Sequence, residues 1–294
     1  TVAAAGTIGA LIPPSILMVL YALLTEVSVG RLFAAGVGPG LTLFVLVSLY
    51  IGGRCWLQPD LGPALPPEER ADWGQKFRSL RAVILPILIV TIVLGAIFGG
   101  FATATEAAAI GVFGALFATG VNRQLSWPVI HEASIATLKL TALIIWILFA
   151  AHAFSTAYTA LGAQSLISDL MAYIPGGRWG ALAFMLMVLF FFGMVLDPVG
   201  IMLITLPVFL PVVQQAGFDP IWFGILFIIM MEVGYMTPPF GFNLFYLKGV
   251  APPDVTMGDI YASVIPYVIV TLIGVLLIIL FPGIALYLPN LFYN

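Results

Sequence analysis

Apolar runs recur along the whole chain, and the polar positions between them are few and clustered. The runs fall at 1–25, 38–52, 82–98, 105–121, 138–160, 180–196, 199–213, 220–249 and 261–281. A helix that crosses a bilayer needs about 20 mostly apolar residues, so the long runs predict membrane spans. The runs 180–196 and 199–213 are short, and little more than Asp197-Pro198 joins them. They predict a re-entrant helical hairpin over 180–213 with a polar tip. Irregular backbone is tolerated at membrane depth where protein or a cavity surrounds it. WPVIHEASIATL at 127–138 predicts a short amphipathic helix lying in the interface, ahead of the span 138–160.

The chain also repeats itself. Gly9, Pro13, Pro14 and Tyr21 align with Gly234, Pro238, Pro239 and Tyr246 at one constant offset. With three residues inserted, VSVGRLFA at 27–34 aligns with VTMGDIYA at 255–262. Both copies read apolar helix, Gly, Pro-Pro, apolar helix, short amphipathic turn, apolar span. Proline lacks an N–H and clashes with the preceding turn, so each Pro-Pro predicts a broken helix, 1–25 in one copy and 220–249 in the other.

Composition makes the solvent lipid. Hydrophobic residues make up 62% of the 294 positions and charged residues 8%. Soluble domains carry about 25% charged residues. Nucleic acid is not expected as a partner. Cys55 is the sole cysteine, and His131 and His152 are the only histidines, so no disulfide, transition-metal site or haem is expected. Half of the ten Lys and Arg residues lie in 53–81, namely Arg54, Arg70, Lys76, Arg78 and Arg81. The positive-inside rule makes this stretch a cytoplasmic loop. Counting outward, 1–25 then runs from inside to outside and 220–249 from outside to inside. The halves are inverted repeats, a plan of secondary transporters with the binding site near the midplane. The second copy carries its hairpin upstream, so a hairpin is expected before residue 1. The opening TVAAAGTIGALIPPS has no signal-peptide pattern, and we expect a preceding N-terminal portion.

These elements set the candidate chemistry. Unwinding at each break frees carbonyl oxygens that something must satisfy. A sodium ion would do so, and the following half-helix turns a positive dipole end toward an anionic substrate. The candidate cation-binding residues are Gly6, Thr7, Gly9, Asp197, Gly234, Thr237 and Gly241, with the glycines permitting the unwinding. The candidate substrate-binding residues are Ser15, Glu232, Pro238 and Asn243. Each has a structural alternative: Asp197 as a helix cap, Glu232 as a prop for the hairpin, Thr and Ser bonded to their own helices. Thr103 and Glu106 fit a capping box. His152 reads as a packing residue, and Lys139 as a snorkelling one.

The motifs GTIGALIPPSILMVLYALLTEVSVGRLFAAGVGPG (6–40), GGFATATEAAA (99–109), GMVLDPVGIMLITLPVFLPV (193–212) and DPIWFGILFIIMMEVGYMTPPFGFNLFYLKGVAP (219–252) together resemble the large membrane subunit, DctM-type, of tripartite ATP-independent periplasmic (TRAP) transporters. The family's second motif commonly reads T-P-T-E-A, where this chain has Ala104 for the proline. The resemblance implies an inner-membrane importer of organic anions, carboxylates or sialic-acid-like sugar acids, coupled to sodium and moving like an elevator. It implies two partners, a periplasmic substrate-binding protein and a small four-helix membrane subunit (DctQ-type). It places the ion sites at the 6–15 and 234–243 breaks and the 196–200 tip.

The expected protein is thus an all-α polytopic membrane transporter, not an enzyme, without cofactors other than coupling sodium ions. Its parts are the end of a first inverted repeat (1–52), the loop 53–81, connecting spans and interfacial helix (82–137) and a second repeat (138–294) ending in the span 261–281. Two rivals differ in function. A stand-alone sodium-coupled carboxylate carrier would need no binding protein. A subunit of a respiratory or other membrane enzyme complex would call for histidine pairs or rows of mid-membrane charges.

Overall fold

The computed structural model describes residues 1–63, 66, 70–162, 174–239, 241–252 and 254–293, the side chains of 61, 81, 82, 155, 158 and 242 apart. Parts of the 53–81 loop and Phe240 in the second break lie outside the described residues. Among the described residues the structure is helical, with no strand. The helices are α1 (Val2–Leu11), α2 (Ile16–Thr25), α3 (Val29–Leu57), α4 (Trp73–Phe98), α5 (Ala104–Val121), α6 (Trp127–Ala160), α7 (Gly177–Gly193), α8 (Pro198–Gln215), α9 (Pro220–Tyr235), α10 (Phe242–Val250), α11 (Met257–Leu280) and α12 (Gly283–Tyr293). Five described helices are long and apolar enough to cross a membrane, and α1 with α2, bent by 40° at their break, are so together.

The chain divides into two compact units, Thr1–Ile51 with Trp146–Asn294, and Gly52–Ile145. The first holds both breaks and the hairpin, and α9 is its centre. Every α9 residue from Ile221 to Tyr235 is buried. A helix that is apolar all round is stable only when neighbours cover it on all sides. Here α7, α8, α1, α2, α11 and α12 do so. Asp219 starts α9 by accepting the N–H groups of Ile221 (2.7 Å) and Trp222 (3.2 Å), with Pro220 in the first turn. The Trp222 indole N–H donates to the Ile278 carbonyl of α11 (3.1 Å). Tyr21 lies over Gly224, and its hydroxyl donates to the Pro220 carbonyl (2.7 Å).

In the second unit α4 packs against α5, with Gly114 of α5 seated on Ile89. Thr103 and Glu106 form the expected capping box: the Glu106 N–H donates to Thr103 Oγ1 (3.3 Å), and the Thr103 N–H to Glu106 Oε2 (2.8 Å). Ala104 opens the helix at its first position without disturbing the cap. Truncating Thr103→Ala should cost about 1 kcal/mol, read as a lower unfolding midpoint of the purified protein. Among the α5 residues only Ala107 is buried, and Val112, Phe113 and Phe117 stand exposed. An apolar surface of this kind needs lipid or another protein against it.

Two expectations are corrected. The interfacial helix at 127–138 is not a separate element, because α6 runs unbroken from Trp127 to Ala160. Nothing after Pro128 stops it: the sequence to Ala160 contains neither Gly nor Pro. The spans drawn at 38–52 and 261–281 begin earlier, at Val29 and Met257. The segments 27–34 and 255–262 are therefore helix starts rather than turns. Ser28 Oγ accepts the Arg31 N–H (3.3 Å), and its repeat mate Thr256 accepts the Asp259 N–H (3.2 Å). The repeat in sequence is thus a repeated N-cap. Beyond the span drawn at 261–281, α12 (Gly283–Tyr293) packs on α9 and α11.

Candidate functional site

Each Pro-Pro removes two donors from its helix. Pro13 and Pro14 leave the carbonyls of Gly9 and Ala10 without N–H partners four residues on, and Pro238 and Pro239 do the same to Gly234 and Tyr235. Both Pro-Pro bonds are cis. At the first break, α1 ends with the Ile12 N–H on the Ile8 carbonyl (3.3 Å) and Ile12 in extended conformation. Ser15, buried, restarts the chain as the N-cap of α2 by accepting the Met18 N–H (3.4 Å). At the second break, the Thr237 N–H reaches back to the Gly234 carbonyl (2.9 Å). Gly241 then turns into α10 with φ +54°.

The first half of one broken helix packs at the second break. α1 packs on both α9 and α10. The Thr7 hydroxyl lies 3.7 Å from the Met236 sulfur, at the end of α9. Ala3 of α1 shares a buried cluster with Leu244 of α10 and with Ile260 and Val264 of α11. The leading half of one broken helix thus lies against both halves of the other. Secondary transporters built from inverted repeats place their binding sites at such interrupted helices.

The candidate residues divide by environment. Thr7 donates to the Ala4 carbonyl (2.8 Å), and Thr237 to the Val233 carbonyl (2.7 Å), so both hydroxyls spend their protons on their own helices and keep lone pairs. Asn243 and Pro238 are half-buried beside the second break. The Pro239 carbonyl is taken by the Tyr261 hydroxyl (3.0 Å). Asp197 caps α8: its Oδ1 accepts the N–H groups of Val199 and Gly200, each at 3.0 Å. Asp197→Ala should therefore cost about 1 kcal/mol in unfolding free energy, and Asp197→Asn far less.

The glycines behave differently from the expectation that all of them let the chain unwind. Gly6 and Gly9 lie inside α1, and Gly234 inside α9. Of the four, only Gly241 adopts the left-handed conformation, where a side chain costs about 1–2 kcal/mol. A methyl on Gly6 would meet no atom within 4 Å, so Gly6→Ala should leave the unfolding midpoint unchanged or raise stability by up to about 1 kcal/mol. Gly234 is a packing residue: its side-chain position lies 2.5 Å from Gly193 Cα. The hairpin arm α7 therefore lies directly on the backbone of α9.

Glu232 was expected to face substrate. Instead it lines a small cavity of about 10 Å³ with Thr7, Leu11, Leu43, Ile229 and Thr271. That is roughly one water-sized sphere, too small for an organic anion. Thr271 escaped the sequence reading, although a polar residue in the middle of the apolar run 261–281 was the available signal. Gly36 and Gly40 of α3 also escaped it. Gly36 leaves room for the Leu11 carbonyl and the Met18 side chain, and Gly40 for Ile12. The small-xxx-small spacing that lets backbones approach was visible at these positions.

Residues 1–284 match the family model "Tripartite ATP-independent periplasmic transporter, DctM component". The C4-dicarboxylate TRAP transporter large permease protein DctM of Pseudomonas aeruginosa is 35% identical over 97% of this chain and 66% of its own length. The ectoine TRAP transporter large permease protein TeaC of Halomonas elongata is 31% identical over 97% of this chain and 65% of its own. The 2,3-diketo-L-gulonate TRAP transporter large permease protein YiaN of Escherichia coli is 29% identical over the whole chain and 67% of its own length. The chain spans just under two thirds of the first two relatives. With its helical, multi-pass membrane architecture and its pair of converging broken helices, it belongs to the DctM component family of TRAP transporters.

Proposed function

We propose that this chain forms part of the membrane subunit of a sodium-coupled, binding-protein-dependent importer of organic anions in a bacterial inner membrane. The observation that carries the reading is the packing of α1, through Thr7, against Met236 at the second break. Freed carbonyls and hydroxyl lone pairs suit a hard cation such as sodium. The N-termini of α2 and α10 suit a carboxylate, since a helix start carries partial positive charge and free N–H groups. Ser15 and Asn243, at those starts, would touch the substrate. The names of the relatives mention C4-dicarboxylate, ectoine and 2,3-diketo-L-gulonate, which supports a carboxylate-bearing cargo. A periplasmic binding protein would deliver it, and a small membrane subunit would complete the assembly. The broken helices and hairpin would move together, in elevator fashion.

The test is uptake into proteoliposomes by the full-length protein with its small subunit and binding protein. Replacing the sodium gradient by choline should reduce uptake to the level of empty liposomes. Undiminished uptake without sodium would remove the coupling from the reading. Normal transport by Thr237→Ala together with Asn243→Ala would remove the site assignment.

A further inference from the structure

We infer that the cavity lined by residues of α1, α3, α9 and α11 is a cation site of its own, taking one sodium-sized ion between the Glu232 carboxylate and the hydroxyl oxygens of Thr7 and Thr271. The inference rests on the sodium-coupled reading and adds to it an ion position away from the Pro-Pro loops and the hairpin tip.

All three polar residues are buried: Glu232 is 9% exposed, and Thr7 and Thr271 are 6% exposed each. The remaining wall is Leu11, Leu43 and Ile229. No hydrogen bond reaches the Glu232 carboxyl among the described residues, and it carries no ion pair there either. A carboxylate withdrawn from water without a donor or a countercharge is costly. The two threonines do not relieve it. Thr7 donates its proton to the Ala4 carbonyl (2.8 Å), and Thr271 to the Tyr267 carbonyl (2.9 Å). What they turn toward the cavity is lone pairs. An acceptor-only cavity with one acid calls for a positive charge. Its ligands are all oxygen, which selects a hard cation over a transition metal. Its volume of about 10 Å³ admits a single bare ion or one water. Leu11, the last residue before the first break, forms part of the wall, and Glu232 stands one turn before the second. An ion here would therefore tie α1 to α9 beside both breaks.

The experiment uses the full-length protein with its small membrane subunit, as wild type, Thr271→Val and Glu232→Gln. Thermal unfolding is followed against sodium chloride at ionic strength held constant with choline chloride, and sodium-dependent uptake is measured in parallel. We expect sodium to stabilise the wild type. In both variants the sodium concentration giving half the effect should rise about tenfold or more. Thr271→Val keeps the shape and removes only the oxygen, so it decides the matter if Glu232→Gln fails to fold. Half-effect concentrations equal to wild type in the variants overturn the site, whatever uptake does. Variants that alter proton dependence while sodium dependence stays at wild type also overturn it. Stabilisation lost in the variants while wild-type uptake ignores sodium upholds the site and overturns the coupling reading instead.

Discussion

Gly234→Val should destabilise the protein by about 3 kcal/mol or more, toward the upper end of what overpacking costs. A side-chain carbon at Gly234 would sit 2.5 Å from Gly193 Cα, 2.7 Å from Gly193 C and 2.8 Å from the Phe190 carbonyl oxygen. All three are backbone atoms, so no rotamer change relieves the clash. The α7 arm would have to lift away from α9. The same contact seen from the other side predicts a large effect for Gly193→Val, whose side chain would meet the Met231 carbonyl oxygen at 2.8 Å and Gly234 Cα at 2.9 Å. The double variant should cost less than the sum of the singles, because once the helices have separated the second side chain finds space. Unfolding midpoints of the purified full-length proteins, or their yields of monodisperse material, read this out. Wild-type stability in both single variants would show that the hairpin arm does not rest on α9.

Phe227→Ala should cost about 3–5 kcal/mol, the range for a large aromatic removed from a packed core. Phe227 is 0% exposed and lies within α9. Its ring stands 5.8 Å from that of Tyr21 and 6.0 Å from that of Phe223. Lipid cannot fill the hole, because α9 is covered on every side. Phe44→Ala is the control: Phe44 is 57% exposed on α3, and its removal should stay within about 0.5 kcal/mol. Similar losses for both would mean that α9 is not the interior of this unit.

The fold was legible in the chain to different depths. The breaks could be read because Pro-Pro acts on its own helix, whatever surrounds it. Glu106 could be read as a cap because Thr103 lies three residues before it. The same locality misled at 27–34 and 255–262, where small and polar residues suggested turns. Ser28 and Thr256 in fact start helices there. It misled again at 127–138, where amphipathic character suggested a separate helix. Periodicity reports which faces are polar, while only a breaker or a cap ends a helix.

The site shows the same division. Pro13-Pro14, Pro238-Pro239 and the hairpin around Asp197 were marked by residue types whose effect acts within a turn or two of chain. The sequence by itself therefore determined a membrane-embedded, helical, twice-broken chain of a known family. It could not say which residues meet. Thr7, Glu232 and Thr271 line one cavity although they stand far apart along the chain, and nothing in any one helix says that they meet. Gly234 looked like a hinge until Gly193 lay against it. Gly6 looked the same, yet it has open space beside it. A glycine next to a proline pair means the same thing locally in every case. Whether it serves unwinding, close packing or nothing depends on what another helix brings within a few ångströms, and that is decided only by the tertiary structure.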